Sequence, residues 1–449
     1  MKGRAAFLTL GCKVNAYETN AMETVFRDAG YEIVPFSEPA EVYVINTCSV
    51  TNMADRKSRQ MIHRARKKSP EAVIIAAGCY VETAKASGEL DDVADIFVGN
   101  QEKGNIAGIY EEYLENREKK HTFELLRDKK EAAYEPLHIE DSGEKTRVFL
   151  KIQDGCNQFC SYCIIPYARG RIRSRRPEEV ISETIRMAEK GFKEVVLNGI
   201  HLSSYGMDFS DEVRMEGNEA LLELLEELDK IEGIKRIRLG SLEPRFITEA
   251  SAERLSGMKK LCPHFHLSLQ SGCDETLKRM NRHYTTAQYA KGVQLLRKYF
   301  ESPAVTTDVI VGFPGEDAVE FEETKKFLKE IEFSSMHIFK YSVRKGTRAE
   351  TMPGQVPEPE KTRRSEQLFD IKEKCRLAYE ERLIGKQVEV LIEEKTLYDG
   401  KNYYTGHTAT YVKILVPEQE DAMVSENTFV MVRPEGFVKE GGLTGHLVK

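Results

Sequence analysis

The sequence predicts an α/β chain: an open parallel α/β domain at 1–112, a charged connector at 113–146, a partial (β/α)6 barrel at 147–378 and a small antiparallel β-barrel at 379–446. Three observations predict it. Short apolar runs alternate with helical patterns through the first hundred or so residues, and the alternation resumes for six rounds from Val148. After Gly385 it gives way to short strand-like runs with turns at regular intervals. A chain of 449 residues is long enough for two or three domains, each with its own core.

In the first part, the runs at 6–10, 42–45 and 73–76 have the unbroken apolar character of buried parallel strands. Helical patterns around 18–28 and 54–67 lie between them, and a fourth stretch, 96–98, ends at Gly99-Asn100. The connector is charge-dense and reads as partly helical and solvated. The barrel strands are expected at 148–152, 194–198, 236–240, 265–269, 304–311 and 336–341. A proline-rich break at 352–359 precedes a helix at about 360–384. Strands at 388–392, 403–407, 410–415 and 429–432 then form a barrel of OB-like size.

Apolar content of 41% and charged content of 31% describe a soluble globular protein, and no apolar stretch approaches the roughly 20 residues that span a bilayer. The apolar start runs into Gly11-Cys12-Lys13 with no cleavage pattern, so a secretion signal is not expected and the location expected is cytoplasmic. Nine unevenly spaced cysteines argue against a disulfide framework and for thiols used as ligands or kept reduced.

Cys156-Asn157-Gln158-Phe159-Cys160-Ser161-Tyr162-Cys163 directly follows the first barrel strand, where an active-site loop belongs. Three thiolates can hold a [4Fe–4S] cluster and leave one iron open to a small molecule. The other reading is a structural zinc site, which wants four ligands, and the next histidine is distant His201. Cys12, Cys48 and Cys79 each follow an apolar strand at once. Ends of parallel strands share one sheet edge, so these thiols can converge into a second three-thiolate site, although each taken singly reads as a small buried apolar residue. Cys262, Cys273 and Cys375 show no such pattern and read as ordinary thiols.

Asn198, Ser241, Glu243, Gln270 and Asp308 stand with glycine turns at the ends of barrel strands, a set suited to holding a polar cofactor; singly, these are ordinary turns. No Walker-type loop occurs. Arg169, Arg171, Arg173, Arg175 and Arg176 crowd together without an acid, and a second basic stretch runs from Arg56 to Lys68. In a chain of net charge −7, basic patches beside both candidate clusters predict phosphate contacts, against the plainer reading of solvated faces. Lys401, Tyr403 and Tyr404 on the last barrel suit stacking on unpaired bases, or else form barrel core and surface.

Cys156, Cys160 and Cys163, with Tyr162 before the last cysteine, resemble the signature of radical S-adenosylmethionine enzymes. With Cys12, Cys48, Cys79, the barrel and the terminal β-domain, essentially the whole chain resembles the methylthiotransferases. That resemblance implies a radical-forming [4Fe–4S] cluster on the Cys156 loop, an auxiliary [4Fe–4S] cluster on Cys12, Cys48 and Cys79, and an RNA-binding TRAM domain at the end. Gly11-Cys12-Lys13-Val14-Asn15 and Asn46-Thr47-Cys48-Ser49-Val50-Thr51-Asn52 are most similar to the branch acting on N6-threonylcarbamoyladenosine in tRNA. The isopentenyladenosine branch usually shows Gln-Met-Asn after the first cysteine, and the ribosomal-protein branch Pro-Lys-Asn.

The resemblance further implies cofactor contacts from Tyr162, Asn198, Ser241, Glu243, Gln270 and Asp308. It also implies S-adenosylmethionine as radical source and methyl donor, and as partners tRNA, a one-electron reductant protein and a sulfur donor, with no membrane. The same chemistry on isopentenyladenosine or a ribosomal protein is the nearest alternative. A non-enzymatic iron–sulfur RNA-binding redox sensor is the other, and polar strand ends argue against it because a sensor needs no cofactor pocket.

Overall fold

The computed structural model describes residues 2–90, 92–116, 121–122, 132–140, 146–210, 214–418 and 424–448. Strands buried on both faces begin the chain, which is why their sequences are continuous apolar runs. The elements are β1 (Arg4–Thr9), α1 (Lys13–Asp28), β2 (Glu32–Val34), β3 (Val42–Thr47), α2 (Asn52–Lys68), β4 (Val73–Gly78), α3 (Cys79–Ser87), β5 (Ile96–Val98), α4 (Ile106–Glu115) and β6 (His121–Thr122). They form a six-stranded sheet in the order β2-β1-β3-β4-β5-β6, parallel throughout. The winding reverses between β1 and β3, and in such sheets ligands sit outside the carboxyl ends of the strands at that reversal. β2 and β6 escape the sequence reading because they are only three and two residues long and, unlike the equally short β5, carry no unbroken apolar run.

The second part carries β7 (Arg147–Asp154), α5 (Ile165–Arg169), β8 (Arg173–Ser174), α6 (Pro177–Glu189), β9 (Glu194–Gly199), α7 (Glu219–Lys230), β10 (Arg236–Leu239), α8 (Glu249–Gly257), β11 (His264–His266), α9 (Asp274–Arg279), α10 (Thr286–Tyr299), β12 (Ala304–Val311), α11 (Ala318–Ile331) and β13 (Ser335–Lys340). One sheet runs β10-β9-β7-β8 and another β11-β12-β13, with single parallel bridges at Ile237–Leu261 and Leu242–Leu267 joining them. Except for β8, which pairs antiparallel with β7, these strands run parallel. Strand alternation sends Val148, Leu150 and Ile152 into the largest apolar core and leaves Arg147, Phe149 and Lys151 for the opposite face.

The charged connector is described only in part, and the described part corrects the expectation of a solvated linker. Leu137 and Ile139 are buried in the main core. Tyr17 Oη donates to Leu137 O at 2.6 Å, and Ile139 N donates to Glu183 Oε1 at 3.0 Å. The surrounding charges hid two apolar anchors.

The long helix α12 (Glu358–Glu381) leads to β14 (Val388–Tyr398), β15 (Lys401–Thr408), β16 (Lys413–Pro417), β17 (Phe429–Phe437) and β18 (Leu443–Leu447). These close into a barrel ordered β14-β15-β16-β18-β17. The barrel is not wholly antiparallel: β16 and β18 pair parallel, and the sequence reading lacked β18. It seats on the starts of the central strands, where Arg236 Nη1 donates to His407 O and Arg238 Nη1 to Ala409 O, both at 2.9 Å. Tyr411, at φ 69°, stacks on His407 at 4.6 Å and lies 4.6 Å from the Arg238 guanidinium. No described helix is long and apolar enough to cross a membrane.

Candidate functional site

The Cys156–Cys163 loop leaves β7 through Gly155, which has φ +70°; a Cβ there would lie 1.8 Å from Arg171 O. Only glycine permits that approach. The loop is then pinned by Cys156 N to Gly170 O at 3.0 Å, Cys163 N to Cys160 O at 2.9 Å and Ser161 N to Met280 O at 3.0 Å. Cys160 is buried, and half-buried Arg282 donates Nη1 to its Sγ at 3.3 Å. Burial pushes the Cys156 thiol up to about 12 and raises Cys163 as well.

At the reversal of the first sheet, Cys12 follows β1, Cys48 follows β3 and Cys79 starts α3 after β4. Asn15 ties the first two turns together, donating Nδ2 to Leu10 O at 2.7 Å and to Thr47 O at 2.8 Å. Gly11 has φ +101°, and a Cβ on it would meet Cys48 Sγ at 2.6 Å. The thiols are near enough that ionising Cys12 or Cys79 raises Cys48, which burial pushes up to about 11. Burial also raises Cys79, opposed chiefly by the Arg169 and Lys103 cations. Three soft sulfurs on one sheet edge, near enough to couple electrostatically, suit a three-thiolate cluster, as does the Cys156 loop.

The two sites are physically joined. Asn100 donates Nδ2 both to Cys79 Sγ at 3.5 Å and to Ala168 O, just after the Cys156 loop, at 2.8 Å. Arg169, fully buried, donates to Asn15 Oδ1 at 2.7 Å, to Glu18 Oε1 at 2.8 Å and to Asp154 Oδ1 at 3.1 Å. Lys151 bridges the same two carboxylates at 2.7 Å each, Lys103 pairs with Glu18, and Arg173 approaches Asp154 at 3.4 Å. These cations hold the Glu18 and Asp154 carboxyls well below the usual range despite burial.

That network corrects the arginine reading. Arg169, Arg173 and Arg175 are buried, at 0%, 4% and 4% exposure, and Arg175 pairs with Glu183, so they face carboxylates inside the protein rather than phosphates outside. Arg171 and Arg176 remain exposed. Tyr404 is likewise a member of the β-barrel core; Tyr403 is half-buried against Tyr398, and Lys401 is exposed. Charge runs and aromatic clusters look the same in sequence whether they turn inward or outward.

The residues expected at strand ends occupy different settings. Asn198 is buried at the end of β9 and donates to Val196 O at 3.0 Å. Ser241 is exposed after β10, and Glu243 is buried beside it, paired with Arg245 and 3.2 Å from His201 Nε2. Those partners hold its carboxyl down at about 2 against the effect of burial. Gln270, at φ 70°, donates its N–H to Asp308 O at 2.9 Å. Asp308 sits inside β12 rather than at its end, and Tyr162 packs edge-on against Phe313 at 6.4 Å. Sequence reasoning missed Arg282, Asn100, Lys103 and Glu18, because no local spacing links them to cysteines from other elements.

Residues 4–99 match the family described as uncharacterized protein family UPF0004, and residues 150–328 match the radical SAM superfamily. Threonylcarbamoyladenosine tRNA methylthiotransferase MtaB of Bacillus subtilis (strain 168) is 42% identical over 434 residues, covering 96% of this chain and 94% of that protein. The chain belongs to the methylthiotransferase family. A second member, tRNA-2-methylthio-N(6)-dimethylallyladenosine synthase of Moorella thermoacetica, is 35% identical over 93% of both chains. Among solved structures, the radical S-adenosylmethionine methyltransferase TsrM from Kitasatospora setae aligns with a TM-score of 0.54 at 13% identity, covering 77% of this chain and 74% of its own, a likeness of fold alone. Both thiol sites of this methylthiotransferase thus fall within the matched regions.

Proposed function

We propose that this methylthiotransferase adds a methylthio group to C2 of N6-threonylcarbamoyladenosine beside the anticodon of tRNA. The observation that carries the reading is the pair of three-thiol sites, bridged by Asn100 and Arg169, in a chain 42% identical to a threonylcarbamoyladenosine tRNA methylthiotransferase. Cys156, Cys160 and Cys163 hold one [4Fe–4S] cluster; Cys12, Cys48 and Cys79 hold the other. When bound, the clusters and S-adenosylmethionine supply one-electron radical chemistry, a sulfur and a methyl group, which an adenine C2–H requires because it is neither acidic nor electrophilic.

The chain's own residues do the holding. The central strands form a partial (β/α)6 barrel, and Tyr162, Asn198, Ser241, Glu243, Gln270 and Asp308 line its cofactor end. Arg282 supplies positive charge to Cys160 Sγ, and the Arg169 network fixes the two loops relative to one another. The last domain, TRAM-like, takes the tRNA with Lys401 and Tyr403, together with the exposed Arg171 and Arg176 of the central part. A one-electron reductant protein and a sulfur donor complete the cycle in the cytoplasm.

Two measurements test this. Anaerobic reconstitution should yield about eight irons and eight sulfides per chain. In tRNA from a strain lacking this gene, nucleoside mass spectrometry should show the threonylcarbamoyl nucleoside without its methylthio group; persistence of the methylthio form overturns the substrate assignment.

A further inference from the structure

Lys13 is one peptide bond from Cys12 and opens α1. Its ammonium turns onto the concave face of the central strands, 5.5 Å over the Phe149 ring and 6.0 Å from that of Tyr411. On the same face, His266 of β11, Asp308 of β12 and His337 of β13 bring their ring nitrogens and carboxylate oxygen within 4.8 Å of one another. His266 Nε2 lies 3.4 Å from Asp308 Oδ2, and its Nδ1 lies 3.0 Å from Thr306 Oγ1. Burial depresses His337, opposed by the Asp308 carboxylate and reinforced by His266, Lys372 and, least, Lys13. Lys13 of the first domain and Tyr411 of the last barrel thus meet beside Phe149, on the strand face that also carries the imidazoles and Asp308.

We propose that Lys13 and His337 form an anion site that takes the carboxylate of the substrate's N6 substituent, with His266 held beside it between Asp308 and Thr306. The inference rests on the substrate reading above and deepens it. On adenine, C2 and C6 flank N1, so a substituent on N6 extends along the edge that carries the reacting carbon. A residue that holds the substituent belongs beside the sulfur-bearing site, and Lys13 adjoins Cys12. A threonylcarbamoyl group brings a carboxylate and a hydroxyl. An isopentenyl group would press hydrocarbon onto the ammonium and strip its water without offering an acceptor. Two imidazoles and a carboxylate also make a set for a divalent metal. Asp308 alone would favour a cation there; the Lys13 ammonium on the same face offsets that carboxylate, so an arriving carboxylate can meet the ammonium and the His337 N–H without net repulsion.

The test uses the cluster-reconstituted full-length protein without S-adenosylmethionine, so that binding is read without turnover. Anticodon stem-loops carry threonylcarbamoyladenosine, its threonyl methyl ester, or unmodified adenosine. The free acid should bind about 10- to 100-fold tighter than the ester, the effect of one charge-assisted hydrogen bond. Lys13→Gln should erase most of that preference, chiefly by weakening the acid, and His337→Ala, made in a different domain, should erase a smaller part. Iron content equal to wild type shows that each variant is folded and loaded. If both variants keep the acid-over-ester ratio, the anion site is overturned. It is also overturned if wild type takes up one further equivalent of Zn²⁺ that His266→Ala and His337→Ala lose, since the trio is then a cation site. If wild type binds the acid no better than unmodified adenosine, the substrate reading itself fails and this site with it.

Discussion

The two three-thiol sites are built in opposite ways. Cys156, Cys160 and Cys163 share one loop, held by backbone hydrogen bonds and by Gly155 and Phe159 at positive φ. Cys12, Cys48 and Cys79 come from three strand ends, and their convergence depends on sheet register, with Thr9 opposite Asn46 and Thr47 opposite Gly78. A loop site fails when its own closure fails. A register site fails when either neighbouring strand shifts, so it is the more exposed to substitutions distant in sequence.

The largest effect separates the sites outright. Replacing Cys156, Cys160 and Cys163 together with Ala should leave about half the iron and abolish 5′-deoxyadenosine formation. Replacing Cys12, Cys48 and Cys79 should also halve the iron but keep cofactor cleavage while ending sulfur insertion. Equal loss of cleavage in both would erase the division of labour. Next come the glycines. Gly155→Ala places a methyl 1.8 Å from a carbonyl oxygen at φ +70°, a backbone clash no rotamer relieves, and should cost about 3 kcal/mol or more of stability. Gly11→Ala meets a side-chain sulfur instead and should empty the register site alone, visible as half the iron with an intact far-ultraviolet spectrum.

How much of this could be read from sequence follows the same division. The Cys156 loop was legible because its ligands are neighbours in sequence, and the strands carrying Cys12, Cys48 and Cys79 because doubly buried strands are unbroken apolar runs. β2, β6, β8 and β18 were not, being short or supported by partners distant in the chain. The arginine run shows the limit most clearly: Arg169 and Arg171 are indistinguishable by composition, yet the first is fully buried and the second exposed, because Glu18, far upstream, is what Arg169 meets.

Within that run the comparison sharpens. Arg169→Met should destabilise the fold by about 3–5 kcal/mol, because Glu18 and Asp154 lose a shared cation while remaining buried; chemical denaturation measures it. Arg171→Ala and Arg176→Ala should leave the melting temperature almost unmoved. Each should instead weaken tRNA binding and flatten its salt dependence by about 0.7–0.9 in log–log slope, as one phosphate contact does. A stability loss at Arg171, or an unchanged slope at both, would remove these residues from the RNA face.

Smaller still is the difference in how each site treats its sulfurs. Cys160 Sγ receives a hydrogen bond from a guanidinium, Arg282, whereas Cys79 Sγ receives one from a neutral amide, Asn100. A cationic donor stabilises the reduced, more negative cluster more than an amide does. Arg282→Met should therefore lower the potential of the Cys156-loop cluster and slow 5′-deoxyadenosine formation, with the iron retained. Asn100→Ala should shift only the other cluster's signal in redox titration.

The smallest effect is one the two sites share. In the metal-free protein, burial lifts Cys48 to about 11 and Cys156 to about 12, so folding favours the neutral thiols. Raised thiols contribute stability that is present below the free-thiol value of about 8.5 and lost as pH climbs through the folded values. The apo protein should therefore lose stability progressively from about pH 8.5 upward, while the loaded protein, whose sulfurs are already deprotonated on iron, should be less sensitive over that window. Since each site must shed protons to bind iron, initial reconstitution rates should rise with pH between 7 and 9 in both triple-cysteine variants alike. A pH-independent rate in the variant retaining only Cys12, Cys48 and Cys79 would mean that Arg169 and Lys103 already ionise a thiol there, and that the register site is poised for metal in a way the loop site is not.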